Sequence, residues 1–370
     1  GIRPMTIVWL LAVFGGIYLL QHGLYRIWGK RGIAYERSFS KPYVYAGQTV
    51  VMTEEIVNRK LLPIPWLRVE TVMPSMLRFP NRSAETAISS GQLLQHHASL
   101  FSLPPFTRVV RRHEVLCVRR GIYRVPSLAC TFGDLFGTAF GAMDLKTNCS
   151  IVVYPRVKDA AELPLSARRF MQSSLGMPEL FLENHHHVAG VRAYRSGDSL
   201  RQVNWNATAK TGQLLVNKRE TMLDNEATVI LNAELMDDAT NRRMPPEAFE
   251  EALSYAASVI RHIQNSGGKA GLVYNGKSAD EHQAPLRVPP QAGSGQLLRI
   301  LRLMAGFEPV VRRELSHVLE ELLASGLRRA NVLLISAFLT PSQERMIERL
   351  RRAGNRVETL VLYRERRAGA

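Results

Sequence analysis

The apolar positions fall into three regimes along the chain. Residues 5–24, MTIVWLLAVFGGIYLLQHGL, form one nearly continuous apolar run whose only titratable cation is His22. At 1.5 Å rise per residue, about 20 such residues cross the hydrocarbon core of a bilayer as a helix. From about Ile33 to Tyr154 the pattern changes to short alternating runs. Residues 44–52 predict strand, turn, strand. Residues 66–72 alternate with period two, and 109–118 with 121–125 predict a further strand, turn, strand. Pro63, Pro65 and Pro74 punctuate this stretch, which predicts a small β-sandwich.

From about Ala227 the rhythm changes again. Buried strands are predicted at 228–231, 271–274 and 331–336, with a final strand at 356–363. Between them, helices are predicted at 246–264, 296–304, 313–324 and 341–352. This alternation implies an α/β domain with a parallel, doubly wound sheet. The expected organisation is therefore a transmembrane helix with a basic flank at 1–32 and a β-rich, sandwich-like domain at 33–155. A linker segment at 156–226 and an α/β domain at 227–370 follow.

Charge adds direction to this picture. Lys and Arg number 48 against 32 Asp and Glu, a net charge of +16. That excess suits anionic lipid, an acidic protein or nucleic acid. The basic residues are scattered, mostly as Arg pairs, with no long block and no aromatic-interleaved basic strand. A membrane surface or acidic partner therefore ranks above nucleic acid. Arg3 precedes the apolar run, whereas Arg26, Lys30, Arg31 and Arg37 follow it. The positive-inside rule then places the downstream part in the cytoplasm of a cell membrane. The run ends in Gln21, His22 and Gly23, a poor cleavage site for a signal peptide. Tyr18, Tyr25 and Trp28 are expected to form an interfacial aromatic belt. The chain opens at Gly1 rather than Met, so an upstream piece is expected. Cys117, Cys130 and Cys149 are odd in number and form no C-x-x-C pair. They are expected to be small buried hydrophobes in a reducing compartment.

The most distinctive segment is 190–220, GVRAYRSGDSLRQVNWNATAKTGQLLVNKRE. Its Arg192, Tyr194, Gly197, Asp198, Arg201, Trp205, Ala207, Ala209, Lys210 and Glu220 match in spacing and type the signature of the bacterial family "domain of unknown function 58". Gly47-Gln48, Asn58, Pro74, residues 119–123 and residues 133–137 resemble further elements of that family, with Leu135 where Pro is usual. The resemblance implies N-terminal membrane helices and a C-terminal domain similar to von Willebrand factor A. It also implies partnership with a MoxR-type AAA ATPase and membrane proteins, in envelope-related assembly.

A von Willebrand factor A domain holds Mg²⁺ at its strand ends through Asp-x-Ser-x-Ser and a later Asp. Here the corresponding positions are Asn232, Glu234, Met236 and Ala337. Met236 and Ala337 supply no hard oxygen ligand, so a degenerate, metal-free site is expected, with no cofactor. In the signature, Asp198 is expected to cap a short helix at 199–204, with Arg192, Arg195 and Arg201 as ion-pair partners. Two roles stay open for Arg201 and Trp205: a structural clasp between domains, or a docking surface. Two further readings are an enzyme using Asp198 or His185, His186 and His187, and a charge-driven binder of nucleic acid or anionic lipid. A carboxylate among Arg side chains is a poor general base. The His run, and His96-His97 likewise, are expected to be solvated.

Overall fold

The computed structural model describes residues 4–80, 86–90, 94–134, 139–175, 191–194, 203, 205–217, 226–234, 236–237, 242–243, 246–279 and 286–362. The chain divides into two compact units, Gly1–Arg156 and Val157–Ala370.

The first unit opens with helix α1, Pro4–Trp28. Its stretch Val8–Trp28 is long and apolar enough to cross a membrane. Among the described residues, strands follow at β1 Ile33–Phe39, β2 Tyr43–Tyr45, β3 Thr49–Asn58, β4 Ile64–Pro74, β5 Leu77–Arg78, β6 Thr86–Ser90, β7 Leu94–Leu103, β8 Arg108–Cys117, β9 Gly121–Gly133 and β10 Ala139–Tyr154. They form one sheet of order β1-β3-β8-β5 and one of order β2-β10-β9-β4-β7-β6. Strand β3 shows the logic. Val50, Met52, Glu54, Ile56 and Asn58 point inward at period two, and their neighbours point out. All three cysteines are free and buried in this unit. Burial pushes each thiol up to about 11.

The last turns of α1 stand on this sandwich. Gln21 Nε2 donates to Asp134 Oδ2 at 3.3 Å, and Tyr25 Oη donates to the Pro63 carbonyl at 2.9 Å. Tyr25 is buried against protein, so it is not a member of an aromatic belt; Tyr18 and Trp28 are exposed. Gly29 and Gly141 allow the close approach. A Cβ on either would lie 2.6 or 2.7 Å from the Phe132 ring.

The second unit contains helices α2 Leu165–Ser174, α3 Trp205–Thr211, α4 Pro246–Asn265, α5 Ser294–Ala305, α6 Leu315–Ala324 and α7 Pro341–Arg352. Its strands are β11 Val191–Ala193, β12 Leu215–Asn217, β13 Glu226–Leu231, β14 Met236–Asp237, β15 Arg242–Arg243, β16 Lys269–Tyr274, β17 Gly276–Ser278, β18 Leu286–Gln291, β19 Phe307–Val311, β20 Asn331–Ser336 and β21 Arg356–Val361. The main sheet has order β18-β16-β13-β20-β21. Strands β16, β13, β20 and β21 are parallel, whereas β18 runs antiparallel to β16. The sheet is thus mixed rather than wholly parallel. Ile230, Val273, Val332 and Leu334 meet Leu315, Leu319, Ile347 and Leu350 of α6 and α7. Period two turns the intervening residues toward the other face, where α4 covers β13 and β16. Helix α2, within the stretch expected to be linker, packs on β20, β21 and α4.

Candidate functional site

Strand β13 lies between β16 and β20, which follow it in sequence and sit on its opposite sides. This is a topological switch point, and α/β sheets bind ligands in the crevice outside the carboxyl ends of such strands. Asn232 and Glu234 follow β13, Asn275 follows β16, and Ser336 ends β20. These side chains hold one another. Asn232 Nδ2 donates to Ser336 Oγ at 2.9 Å, and Asn275 Nδ2 donates to Asn232 Oδ1 at 2.8 Å. Asn275 Oδ1 accepts the Ala233 amide at 2.7 Å. The Ser336 hydroxyl donates onward to the Phe338 carbonyl.

Glu234 sets the outer limit of this network. Its Oε1 accepts the amide of Leu315, the first residue of α6, at 2.9 Å. Its Oε2 accepts Gln343 Nε2 at 2.7 Å. Gln343 itself belongs to the capping box of α7, where its Oε1 accepts the Thr340 amide at 3.0 Å. One carboxylate therefore ties together the starts of α6 and α7, where helix dipoles favour negative charge. Glu314, the N-cap of α6, makes no side-chain cap of its own, and Glu234 supplies that acceptor from a distant strand end.

Asn232, Asn275 and Ser336 are buried and neutral. Ala337 is buried and contributes no oxygen from its side chain. Met236 lies in β14, paired with Arg243. Among the described residues, no group of three or more His, Cys, Asp and Glu side chains is disposed to hold a metal ion. Asn275 and Gln343 complete the cluster and were not singled out from sequence. A polar residue directly after the buried run of β16 was the available signal.

The signature segment is only partly described. Arg192 in β11 pairs with Val216 of β12, and the Tyr194 amide donates to the Leu214 carbonyl at 2.9 Å. The Leu215 amide donates to Thr208 Oγ1 at 3.0 Å, which docks α3 on this hairpin. Trp205 opens α3 and is 63% exposed, and Lys210 near its end is exposed too. Gly197, Asp198, Arg195, Arg201 and the run His185, His186, His187 lie outside the described residues, as does most of the expected helix at 199–204.

The first unit holds a second polar cluster of opposite character. Glu54 is buried with Arg37 as its ion-pair partner. It also accepts Tyr35 Oη at 2.8 Å and Ser99 Oγ at 3.1 Å, and meets His113 Nε2 at 2.9 Å. Burial alone would raise its pKa. The His113 hydrogen bond and the Arg37 charge overcome that and hold the carboxyl well below the usual range. His97 faces the same space, with the Phe79 ring 4.8 Å and the His113 ring 5.4 Å away. Among the described residues neither ring nitrogen has a hydrogen-bond partner, and burial pushes the pKa of His97 down to about 4. The expectation of a solvated His96-His97 pair fails for His97, because period two on β7 sends it inward and His96 outward.

The "Uncharacterized protein YeaD" of Bacillus subtilis (strain 168) is 22% identical over 357 residues, 95% of this chain and 81% of that protein. Among solved structures, the sixth cohesin from Acetivibrio cellulolyticus' scaffoldin B aligns at TM-score 0.24 and 12% identity, covering 32% of this chain and 99% of that one. The C-terminal domain of wzt aligns at TM-score 0.22 and 12% identity, covering 34% and 75%. Likenesses at these scores carry no weight for function. Residues 190–367, which include the β11–β12 hairpin and the whole strand-end network, match the family model "Protein of unknown function DUF58", and the chain thus contains a DUF58-family domain.

Proposed function

We propose that this chain is a membrane-anchored, cytoplasm-facing adaptor. Helix α1 spans the membrane, and the C-terminal domain, of von Willebrand factor A-like form, docks partner proteins without a bridging cation. A MoxR-type AAA ATPase, working with membrane proteins in envelope assembly, is the partner class proposed. One observation carries the reading: the neutral groups at the switch-point strand ends satisfy one another, with the Glu234 carboxylate committed to the Leu315 amide and the Gln343 side chain. Such a network favours a rigid scaffold over a metal or acid–base centre. Exposed Trp205 and Lys210 support docking, since Trp is enriched in binding hot spots.

The test is a titration of the full chain in detergent with millimolar Mg²⁺. No heat and no thermal shift are expected. A saturable shift lost on Glu234→Gln would overturn the cation-free reading. Membrane orientation is tested by adding protease to intact spheroplasts, where a C-terminal tag should survive. Digestion before lysis would place the domain on the other side.

A further inference from the structure

Strand registers put one pole of the β-sandwich against the end of α1. Strands β1, β4 and β8 begin there, and β3, β7 and β9 end there. Two loops of this pole are fastened to the helix exit. The Lys60 ammonium donates to the Trp28 carbonyl at 2.9 Å and to the Gly29 carbonyl, capping the C-terminus of α1 with a positive charge. Buried Asn58 joins the loops, donating from Nδ2 to the carbonyls of Leu62 and Pro104, each at 3.0 Å. The Phe106 amide donates to the Lys60 carbonyl at 3.2 Å.

These fastened loops carry large apolar side chains outward. Leu61 is 74% exposed and Phe106 is 68% exposed, beside Trp28 at 54%. Phe106 also holds φ at 51°, a left-handed conformation that a bulky residue adopts only against strain. A protein that used this loop only as a connection would gain by a glycine or asparagine there.

We propose that this pole is itself a membrane-contact surface, with Leu61 and Phe106 seated at the headgroup–acyl boundary beside Trp28. The inference rests on α1 being a membrane span. Trp28 lies four residues past the apolar run, about 6 Å at helical rise. The polar layer on each side of a bilayer core is roughly 5–8 Å thick. Groups hydrogen-bonded to the Trp28 carbonyl therefore sit at headgroup depth, where aromatic and aliphatic side chains are favoured. Arg26, Lys30 and Arg31 are exposed around the same exit and fit anionic headgroups. The hydrogen bonds of Gln21, Tyr25 and Lys60 hold the sandwich to the end of α1, and seating the pole in the interface fixes the attitude of both to the bilayer.

The test uses the full chain in phosphatidylcholine vesicles with and without phosphatidylglycerol. An environment-sensitive fluorophore is attached at Pro105→Cys on the pole, at Phe14→Cys in α1, or at Lys41→Cys in the β1–β2 turn at the opposite pole. The native thiols are buried and stay unlabelled. Lipid-borne quenchers should reach Phe14→Cys and Pro105→Cys but not Lys41→Cys. The combined changes Leu61→Asp and Phe106→Asp should abolish quenching at position 105 and leave it at position 14. Quenching at 14 with none at 105, or quenching at 105 that survives the two aspartates, would overturn the proposal while the span stands. Absence of quenching at 14 would remove the span, and the proposal with it. Quenching at 105 should strengthen with the anionic lipid; equal quenching would overturn the part assigned to Arg26, Lys30 and Arg31.

Discussion

The two units each bury a polar cluster, and they solve the same problem in opposite ways. In the sandwich, Glu54 and Arg37 remain charged within the core, between one apolar cluster around Met52 and Ile151 and another around Ile56 and Phe132. At the strand ends of the α/β unit, Asn232, Asn275 and Ser336 form a neutral chain, and the carboxylate is moved outward to two helix starts. Buried ions cost several kcal/mol of desolvation each and tolerate no loss of a partner. Buried amides cost less and fail more gently. The sandwich should therefore be brittle to single changes and to acid. The strand-end network should be forgiving.

The largest effect should come from Glu54→Ala, which leaves the Arg37 guanidinium buried and unpaired. It should destabilise the sandwich by about 3–5 kcal/mol in denaturant unfolding of the full chain in detergent. Replacing the pair together, Arg37→Met with Glu54→Leu, should cost much less. If the double change is as damaging as the single one, the cluster does more than pair charges.

Acid should act next. His97, facing Glu54, Arg37 and His113, has its pKa held near 4 against an ordinary 6.5. A depressed histidine favours the folded state above its unfolded pKa. That stability is lost as pH falls from about 6.5 toward 4, by about 3 kcal/mol over the window. Protonation of Glu54 adds to the loss at lower pH. His97→Phe should flatten the stability profile between pH 6.5 and 4. An unchanged slope would assign it to other groups.

In the neutral network, Asn275→Ala strips the Ala233 amide of its acceptor and Asn232 of one donor. An unfolding cost of about 1–3 kcal/mol is expected. A loss as large as that of Glu54→Ala would erase the contrast between the units. The smallest effect should be Trp205→Ala. An exposed side chain at the start of a short helix should shift stability by no more than about 0.5 kcal/mol. A larger loss would restore a structural clasp.

The comparison also shows what a sequence reveals. Strand β20 and helix α7 coincide with the expected 331–336 and 341–352, because an apolar run and a capping box mark their limits. Helix α2 was obscured by the Arg pair and serines of LSARRFMQSS. Its buried stripe, Ala167, Phe170, Met171 and Ser174, has helical spacing nonetheless. Strand β18 contains Pro289 and Pro290, which a sheet accepts at an edge. The charged cluster of the sandwich was hidden because its members come from strands far apart in sequence. Glu54 does stand at an inward position of β3, between Met52 and Ile56, and an acid there requires buried partners. Of the strand-end network, Asn232 and Glu234 were legible by alignment to a metal site. Asn275 and Gln343 were not, since only the folded sheet brings them together.

The central claim is that a neutral, rigid domain on a membrane anchor docks a partner. Affinity capture from native membranes through a C-terminal tag tests it most directly, with the full chain and its Trp205→Ala variant compared at equal abundance. The account predicts that a MoxR-type AAA ATPase is recovered with the unmodified chain and lost or sharply reduced with Trp205→Ala, while both chains melt alike. Recovery of no such ATPase, or equal recovery with the variant, would contradict it.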